Sequence, residues 1–202
     1  METIQAYVTL IKDTLTVLVT VIGGVVAVKG FQSWKSELHW KTEYELAQRL
    51  AKAVYKVRDA IAGFRDPLPL GTQVQKVINA GLENKKMFNS KLYASAVEEV
   101  YSRRWQAVQE AVLDLDAVSL EAEAIWGEIV LERLKPLKAC TTLLLKYMQM
   151  YIQNLKRQEY SAQDTTDGVL YESTGNLHNN FSNKITDAVK SIENFLKPYL
   201  KV

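Results

Sequence analysis

Two histidines and one cysteine are the first candidates for metal or nucleophilic chemistry. His39 and His178 lie far apart, and neither has a second His or a Cys at the spacing that zinc sites use. The chain also lacks the Glu-x-x-His pattern of di-iron bundles, the P-loop pattern and the Gly-x-Ser-x-Gly turn of hydrolases. The sequence therefore predicts no metal, no cofactor and no enzymatic activity. Cys140 is interpreted as a small core residue.

Carboxylates are plentiful, and a pair with unequal pKa values could do acid–base work. Because charged residues are normally exposed, they are interpreted instead as solvated helix faces. The Asp-Thr-Thr-Asp-Gly run at 164–168 lacks the alternating oxygen ligands of a calcium loop. The candidate carboxylates are Glu98, Glu99, Asp114, Asp116, Glu121, Glu123, Glu128 and Glu132.

Arginines next to acidic or aromatic residues form a further candidate group. Arg58-Asp59 and Arg65-Asp66 are spaced by seven residues, and Arg103-Arg104 precedes Trp105. One interpretation is contact with a phosphate or another ligand. The other, which we favour, is ion pairing on and between helices.

Composition narrows the class of protein that must position these groups. The chain has 202 residues, 48% of them hydrophobic and 24% charged, with only 9 Gly and 4 Pro. These values exclude a disordered chain, a collagen and a polytopic membrane protein, and they disfavour a turn-rich all-β fold. The net charge of +2 is too small to indicate nucleic-acid binding. One cysteine excludes a disulfide scaffold and suits a reducing compartment.

A charge-free run at 14–28 indicates a membrane segment. Alone it makes a helix about 22 Å long, which is short for a hydrocarbon core of about 30 Å. Extended back to Ile4 the helix reaches about 37 Å and includes Lys12 and Asp13. We therefore expect a transmembrane helix within residues 1–30. A buried core helix and a cleaved signal peptide are the alternatives.

One face of this helix carries small and polar residues at intervals of three or four. Such a face suits an oligomer, because small residues let helices approach closely and hydroxyls can bond across the contact. In a ring it could line an aqueous path with a carboxylate near its mouth. A single anchor that merely tolerates these residues is the alternative. The predicted seam or pore lining is Asp13, Thr16, Thr20, Gly23, Gly24 and Ala27.

The residues after the segment predict its orientation. Cations gather there, whereas Glu2 is the only charged side chain before Lys12. The positive-inside rule then places the C-terminal domain in the cytoplasm and the N-terminus outside. Aromatic residues among the cations suit the membrane interface. The predicted interface anchors are Lys29, Phe31, Trp34, Lys35 and Trp40.

Apolar periodicity predicts helices through most of residues 31–202. We expect them at about 33–62, 74–82, 89–126, 128–159 and 181–200, with a mobile polar loop at about 161–180. The first can continue directly from the membrane helix, with Gly30 as the only weak point. The predicted fold is all-α, a transmembrane helix followed by a cytosolic antiparallel four-helix bundle. Two predicted core stripes are Leu46, Leu50, Val54, Val57, Ile61 and Phe64, and Leu134, Leu137, Thr141, Leu144, Met148, Ile152 and Leu155.

Four segments combine aromatic and charged residues in a distinctive way: WKSELHWKTEYELAQRLAKAVYKVRDAI (34–61), VYSRRW (100–105), LEAEAIWG (120–127) and IENFLKPYL (192–200). Through them the chain resembles a group of uncharacterised bacterial proteins that look like single-pass membrane proteins with a helical cytosolic domain. This resemblance implies no activity.

The layout is also similar to ring-forming accessory membrane proteins of CRISPR and other anti-phage systems, which carry a HEPN-like helical bundle. The HEPN ribonuclease motif is Arg, four to six residues, then His. Neither His39 nor His178 has an Arg at that distance, so the likeness does not imply nuclease activity.

We therefore expect a non-enzymatic, oligomeric single-pass protein of the bacterial inner membrane that forms a pore or perturbs the membrane in defence. The alternative is a membrane-tethered binding or scaffold module whose helix is only an anchor. An enzyme using Arg and carboxylate groups ranks last, because no motif supports it. The expected partners are membrane lipid, further copies of the chain and a protein bound by the bundle, without nucleic acid.

Overall fold

The computed structural model describes residues 2–66, 68–82, 90–157, 169–170 and 179–200. Within its helices, some side chains lie outside the description. They are those of residues 2–19, 21, 25, 28, 32–33, 36, 68–69, 81–82, 90 and 179. The predicted loop at 161–180 lies mostly outside the described residues.

The described chain is all-α, as predicted. Every described residue except Asp66, Gly127 and Glu128 is helical. The long helices are α1 (Glu2–Arg65), α2 (Leu68–Leu82), α3 (Ser90–Trp126), α4 (Ile129–Arg157) and α5 (Asn179–Leu200). The backbone of α1 runs without interruption through Gly30, so the predicted membrane helix and the helix after it are one element. Among the described residues, no helix has the length and apolar character needed to cross a bilayer.

Local sequence explains most helix ends. α1 ends before Asp66-Pro67, because a proline disfavours helical geometry in the residue preceding it. Gly63 lies inside the helix, so α1 extends three residues past the expected end at about 62. α3 begins at Ser90 and ends at Trp126, as predicted. α2 begins at Leu68, six positions before the predicted start, and this difference places Gln73 within a helix.

The turn between α3 and α4 depends on Gly127. Its φ is +73°, a left-handed conformation that costs residues with a Cβ about 1–2 kcal/mol. Its N–H donates to the Glu123 carbonyl over 2.8 Å, which closes the last turn of α3. A turn of two residues, Gly127 and Glu128, therefore reverses the chain.

The chain forms two compact units, Met1–Glu45 and Leu46–Val202. The second contains the hydrophobic core. Every residue of the two predicted core stripes is buried, including Thr141 at 6% exposure. The centre of the core also includes Tyr101, Leu115 and Ile192, each at most 1% exposed. The hydrophobic periodicity therefore identified the inward faces of α1 and α4 correctly.

Contacts within the second unit define the directions of its helices. Asp116 pairs with Lys138 over 2.6 Å, and Glu98 pairs with Lys156 over 2.7 Å. The α3 positions fall as the α4 positions rise, so these helices are antiparallel. Arg49–Glu121 and Lys56–Asp114 join α1 to α3. Tyr55–Glu193 and Arg65–Ser182 join α1 to α5. In both cases the positions on α1 rise as those on the partner helix fall, so α1 is antiparallel to both helices. α3 and α5 therefore each run antiparallel to α1 and α4. α3 also contacts α5 through Trp126 and Phe195, and α2 packs on α3.

Arg65 joins three parts of the second unit at the end of α1. It is only 3% exposed, and its Nε donates to the Val169 carbonyl over 2.8 Å. Its Nη1 donates to Ser182 Oγ on α5, and its guanidinium lies 5.1 Å from the centroid of the Phe181 ring. Next to Val169, Leu170 is fully buried. These contacts of Arg65 therefore hold residues 169–170 and the start of α5 against the end of α1.

We predict opposite effects of alanine at two glycines. Gly127→Ala should lower the free energy of unfolding by about 1–2 kcal/mol, because alanine resists a positive φ. Gly63→Ala should raise it by up to about 1 kcal/mol, because Gly63 is helical and a Cβ there meets no atom within 4 Å. Urea titration of the detergent-solubilised chain, followed by far-UV circular dichroism, measures both. Equal shifts would contradict the assigned turn.

Candidate functional site

The predicted oligomer seam lies on α1, and its described members are exposed. Thr20, Gly23, Gly24 and Ala27 all face solvent, and a Cβ added to either glycine would meet no atom within 4 Å. The side chains of Asp13 and Thr16 lie outside the described residues. The described part of the seam is therefore an open helix surface.

Large apolar side chains continue this surface toward the C-terminus. Successive intervals of four and three residues run from Thr20 to Leu38, so these positions share one face. Phe31, Trp34 and Leu38 on this face are 62%, 58% and 53% exposed. Lys41 and Glu45 occupy the next two positions, and both are exposed and charged. We call the residues Thr20, Gly24, Ala27, Phe31, Trp34 and Leu38 the α1 stripe.

The opposite side of the same helix is also apolar and exposed. Ile22 and Val26 lie about 160° and 120° around the helix from the centre of the α1 stripe, and they are 55% and 65% exposed. A helix that is apolar all round normally lies in a protein core or in a membrane. Burying each such side chain stabilises it by about 1.5–3 kcal/mol relative to water.

The predicted interface anchors are also exposed. Lys29 and Lys35 face solvent, and Trp40 is 41% exposed. The rings of Phe31 and Trp34 have centroids 6.0 Å apart. Trp40 stacks on Tyr44 at 5.5 Å. Periodicity also predicts a second packing stripe on α1, formed by Trp40, Tyr44, Ala47, Ala51 and Tyr55. Trp40 lies outside the buried core, contrary to that prediction.

A second candidate site is a cavity of about 680 Å³ between α2 and α3, which we call the α2–α3 pocket. The sequence pattern does not reveal this cavity, because the cavity forms only where α2 lies against α3. It combines an apolar wall with three cationic side chains and one carboxylate. Its lining residues are Gln73, Lys76, Val77, Ala80, Leu92, Ser95, Ala96, Glu99, Val100, Arg103 and Arg104.

Arg104 is held rigidly at one end of this pocket. Its Nη1 donates to the carbonyls of Phe64 and Asp66 over 3.0 and 2.7 Å, which satisfies acceptors at the C-terminal end of α1. Its Nε donates to Gln73 Oε1 on α2 over 3.0 Å. Its Nη2 is buried and has no hydrogen-bond partner in the part of the chain that the structure describes. Such an unsatisfied buried donor costs about 1–3 kcal/mol.

Two other arginines of the predicted group make ordinary surface contacts, whereas Arg65 makes the buried contacts described above. Arg58 pairs with Asp59 over 2.8 Å, and Arg103 pairs with Glu99 one helical turn away. All four of these side chains are largely exposed, so each pair contributes at most about 1 kcal/mol. The ion-pair interpretation therefore describes Arg58 and Arg103, but not Arg104.

Two further reactive side chains, Cys140 and Tyr55, lie in packed parts of the second unit, where burial and hydrogen bonding raise their pKa values. Burial raises the pKa of the Cys140 thiol, although Lys184 opposes this effect. The pKa of Tyr55 is raised chiefly because its hydroxyl donates to Glu193 over 2.9 Å, and further by burial. Across the described residues, no group of three or more His, Cys, Asp or Glu side chains could hold a metal ion.

Comparisons with protein-family models, curated proteins and solved structures found no match to this chain.

We predict that Cys140 reacts slowly with iodoacetamide in the native chain. Its side chain is only 6% exposed, and its raised pKa keeps the thiol protonated to a higher pH than in a free cysteine. The alkylation rate should therefore be lower than in urea at pH 7–9, and it should increase at a higher pH. Mass spectrometry of timed samples measures the rate. Matching native and unfolded rates across this range would contradict the prediction.

Proposed function

We propose that this chain is a non-enzymatic membrane protein that crosses the bilayer once through residues 4–28 and assembles with further copies through the α1 stripe. The second unit then forms a cytoplasmic helical bundle. In a ring of copies, the same face lines an aqueous path with Asp13 near its mouth. Membrane perturbation in bacterial defence is the role that the similarity of layout suggests.

One observation carries this proposal: apolar side chains are exposed on opposite sides of one helix. Lipid would cover the larger aliphatic side chains such as Ile22 and Val26. A second copy would cover the α1 stripe, where Gly24 and Ala27 permit close approach. Lys29 and Lys35 follow the apolar segment, where the positive-inside rule places cytoplasmic cations.

Membrane insertion has a direct biochemical test. After expression in a bacterium, the chain should remain in the membrane pellet through washing at pH 11 with sodium carbonate, because a spanning helix is held by burial in hydrocarbon rather than by charge. Val26→Arg together with Ile22→Arg should release most of it, since cations at the bilayer centre are costly. Lys29→Arg, which keeps the charge, is the matched control. Complete release of the unaltered chain would overturn the proposed insertion.

Disulfide cross-linking tests the predicted seam. In a Cys140→Ser background, Gly24→Cys and Ala27→Cys should form covalent dimers in oxidised membranes. Ile22→Cys should form at least fivefold fewer, because Ile22 lies about 160° around α1 from the centre of the α1 stripe. Non-reducing electrophoresis measures the yield. Equal yields from both sides, or only monomer from all three variants, would contradict assembly through the α1 stripe.

Pore formation makes a further prediction. Induced expression should depolarise cells, and Asp13→Ala or Thr20→Leu should weaken this effect by removing a polar group from the lined path. A potential-sensitive dye, compared at equal expression, measures the change. Unchanged depolarisation in both variants would exclude this path, while dimers at Gly24→Cys would still support assembly.

A membrane-tethered binding module is the second candidate, and the α2–α3 pocket favours it. Here the bundle binds a ligand and α1 only fixes it to the membrane. Replacing residues 14–28 with an unrelated Leu-rich segment separates the two candidates. If the chain with the replaced segment still affects cells as the unaltered chain does, the tether is favoured. If this effect is lost although the chain still inserts in the membrane, assembly through α1 is favoured.

A further inference from the structure

We infer that the α2–α3 pocket binds a small amphiphile carrying one carboxylate or phosphate group on an aliphatic tail. This inference names the ligand class of the tethered-module candidate. It does not depend on assembly through α1, because all the residues that line the pocket lie on α2 and α3.

The anionic end of the ligand is inferred from Arg104. The guanidinium uses Nε and Nη1 for Gln73 and for two carbonyls, and these bonds fix its plane. The remaining hydrogens are on Nη2, which has no partner within the described chain but is itself covered. A ligand in the cavity therefore meets the positive charge of this guanidinium rather than a free N–H. A carboxylate or phosphate group is what such a charge attracts.

Charge around the pocket also favours an anion. Among the described residues, Lys76, Arg103 and Arg104 line it together with one carboxylate, Glu99. That carboxylate pairs with Arg103. In the described part of the chain, Lys76 and Arg104 make no ion pair, so two positive charges remain available to a ligand.

The apolar lining residues of the same cavity indicate an apolar tail. Val77, Leu92, Ala96 and Val100 line the cavity, and Ala96 and Val100 belong to the buried core. An inorganic ion would leave these residues against water, whereas an aliphatic tail would cover them. The volume of about 680 Å³ falls within the range of about 300–1,000 Å³ that small-molecule sites occupy.

Binding of decanoate and of decyl phosphate tests the inference. Each would be titrated below its micelle concentration into the full chain held in amphipol, with isothermal titration calorimetry as the readout. We expect one saturable site, and the tighter of the two probes identifies the head group. Decylamine has a similar tail but a positive charge, and it should bind at least tenfold more weakly. Inorganic phosphate, which lacks the tail, should also bind weakly.

Three variants separate the parts of the pocket. Lys76→Gln and Arg104→Gln should each weaken binding about tenfold or more by removing a positive charge. Ala80→Trp should weaken it by filling the apolar side without changing charge. Arg133→Gln is the matched control, since Arg133 is an exposed arginine of α4 outside the pocket. It should leave the affinity unchanged.

Each outcome bears on the inference. Because Arg104 also caps α1, circular dichroism must show whether Arg104→Gln still folds. If it does not, the affinities of Lys76→Gln and Ala80→Trp test the inference. No binding, equal binding of decylamine, or unchanged affinity in those two variants would overturn it. Failed binding beside intact cross-linking at Gly24→Cys would overturn only this inference. Intact binding beside failed cross-linking would overturn only assembly through the α1 stripe.

Discussion

Burial of aromatic rings where α1, α3 and α4 meet is the interaction on which the second unit depends. Phe64 lies 5.4 Å from Tyr101 and 6.1 Å from Trp105, and Tyr101 lies 5.8 Å from Tyr151, all between ring centroids. These contacts place the end of α1 against the middle of α3. Arg104, between the two aromatic residues of α3 in sequence, can therefore reach the last carbonyls of α1. The packing that forms the core therefore also positions Arg104, which lines the α2–α3 pocket.

Hydrophobic periodicity predicted the core because each helix buries one continuous face. The α1 residues from Leu46 to Phe64 recur every three or four positions, and all are buried. Proline and glycine also marked the ends of α1 and α3, because they act through local backbone geometry. The start of α2 was predicted too late. Its first turn contains Pro69, which is tolerated there, and a connector rich in proline and glycine masks its apolar pattern.

The candidate sites show where sequence reasoning ends. Only the first half of the α1 stripe, Thr20, Gly24 and Ala27, belongs to the seam predicted from spacing, since one helix defines which of its residues share a face. Its continuation to Leu38 required the exposure of Phe31 and Trp34. The α2–α3 pocket could not be found this way, because it needs two helices in contact. Arg103 and Arg104 are adjacent in sequence but point about 100° apart on the helix, so one pairs outward and the other inward.

The short turn at Gly127 also has a consequence for how the chain folds. α3 and α4 meet close to this turn, so their contacts can begin without closing a long loop. The contacts of α1 are far more distant: Arg49 meets Glu121 across 72 positions, and Tyr55 meets Glu193 across 138. During synthesis the core face of α1 therefore leaves the ribosome long before its partners exist. Until the α3–α4 hairpin has been synthesised, a chaperone or another part of the nascent chain has to cover this apolar face of α1.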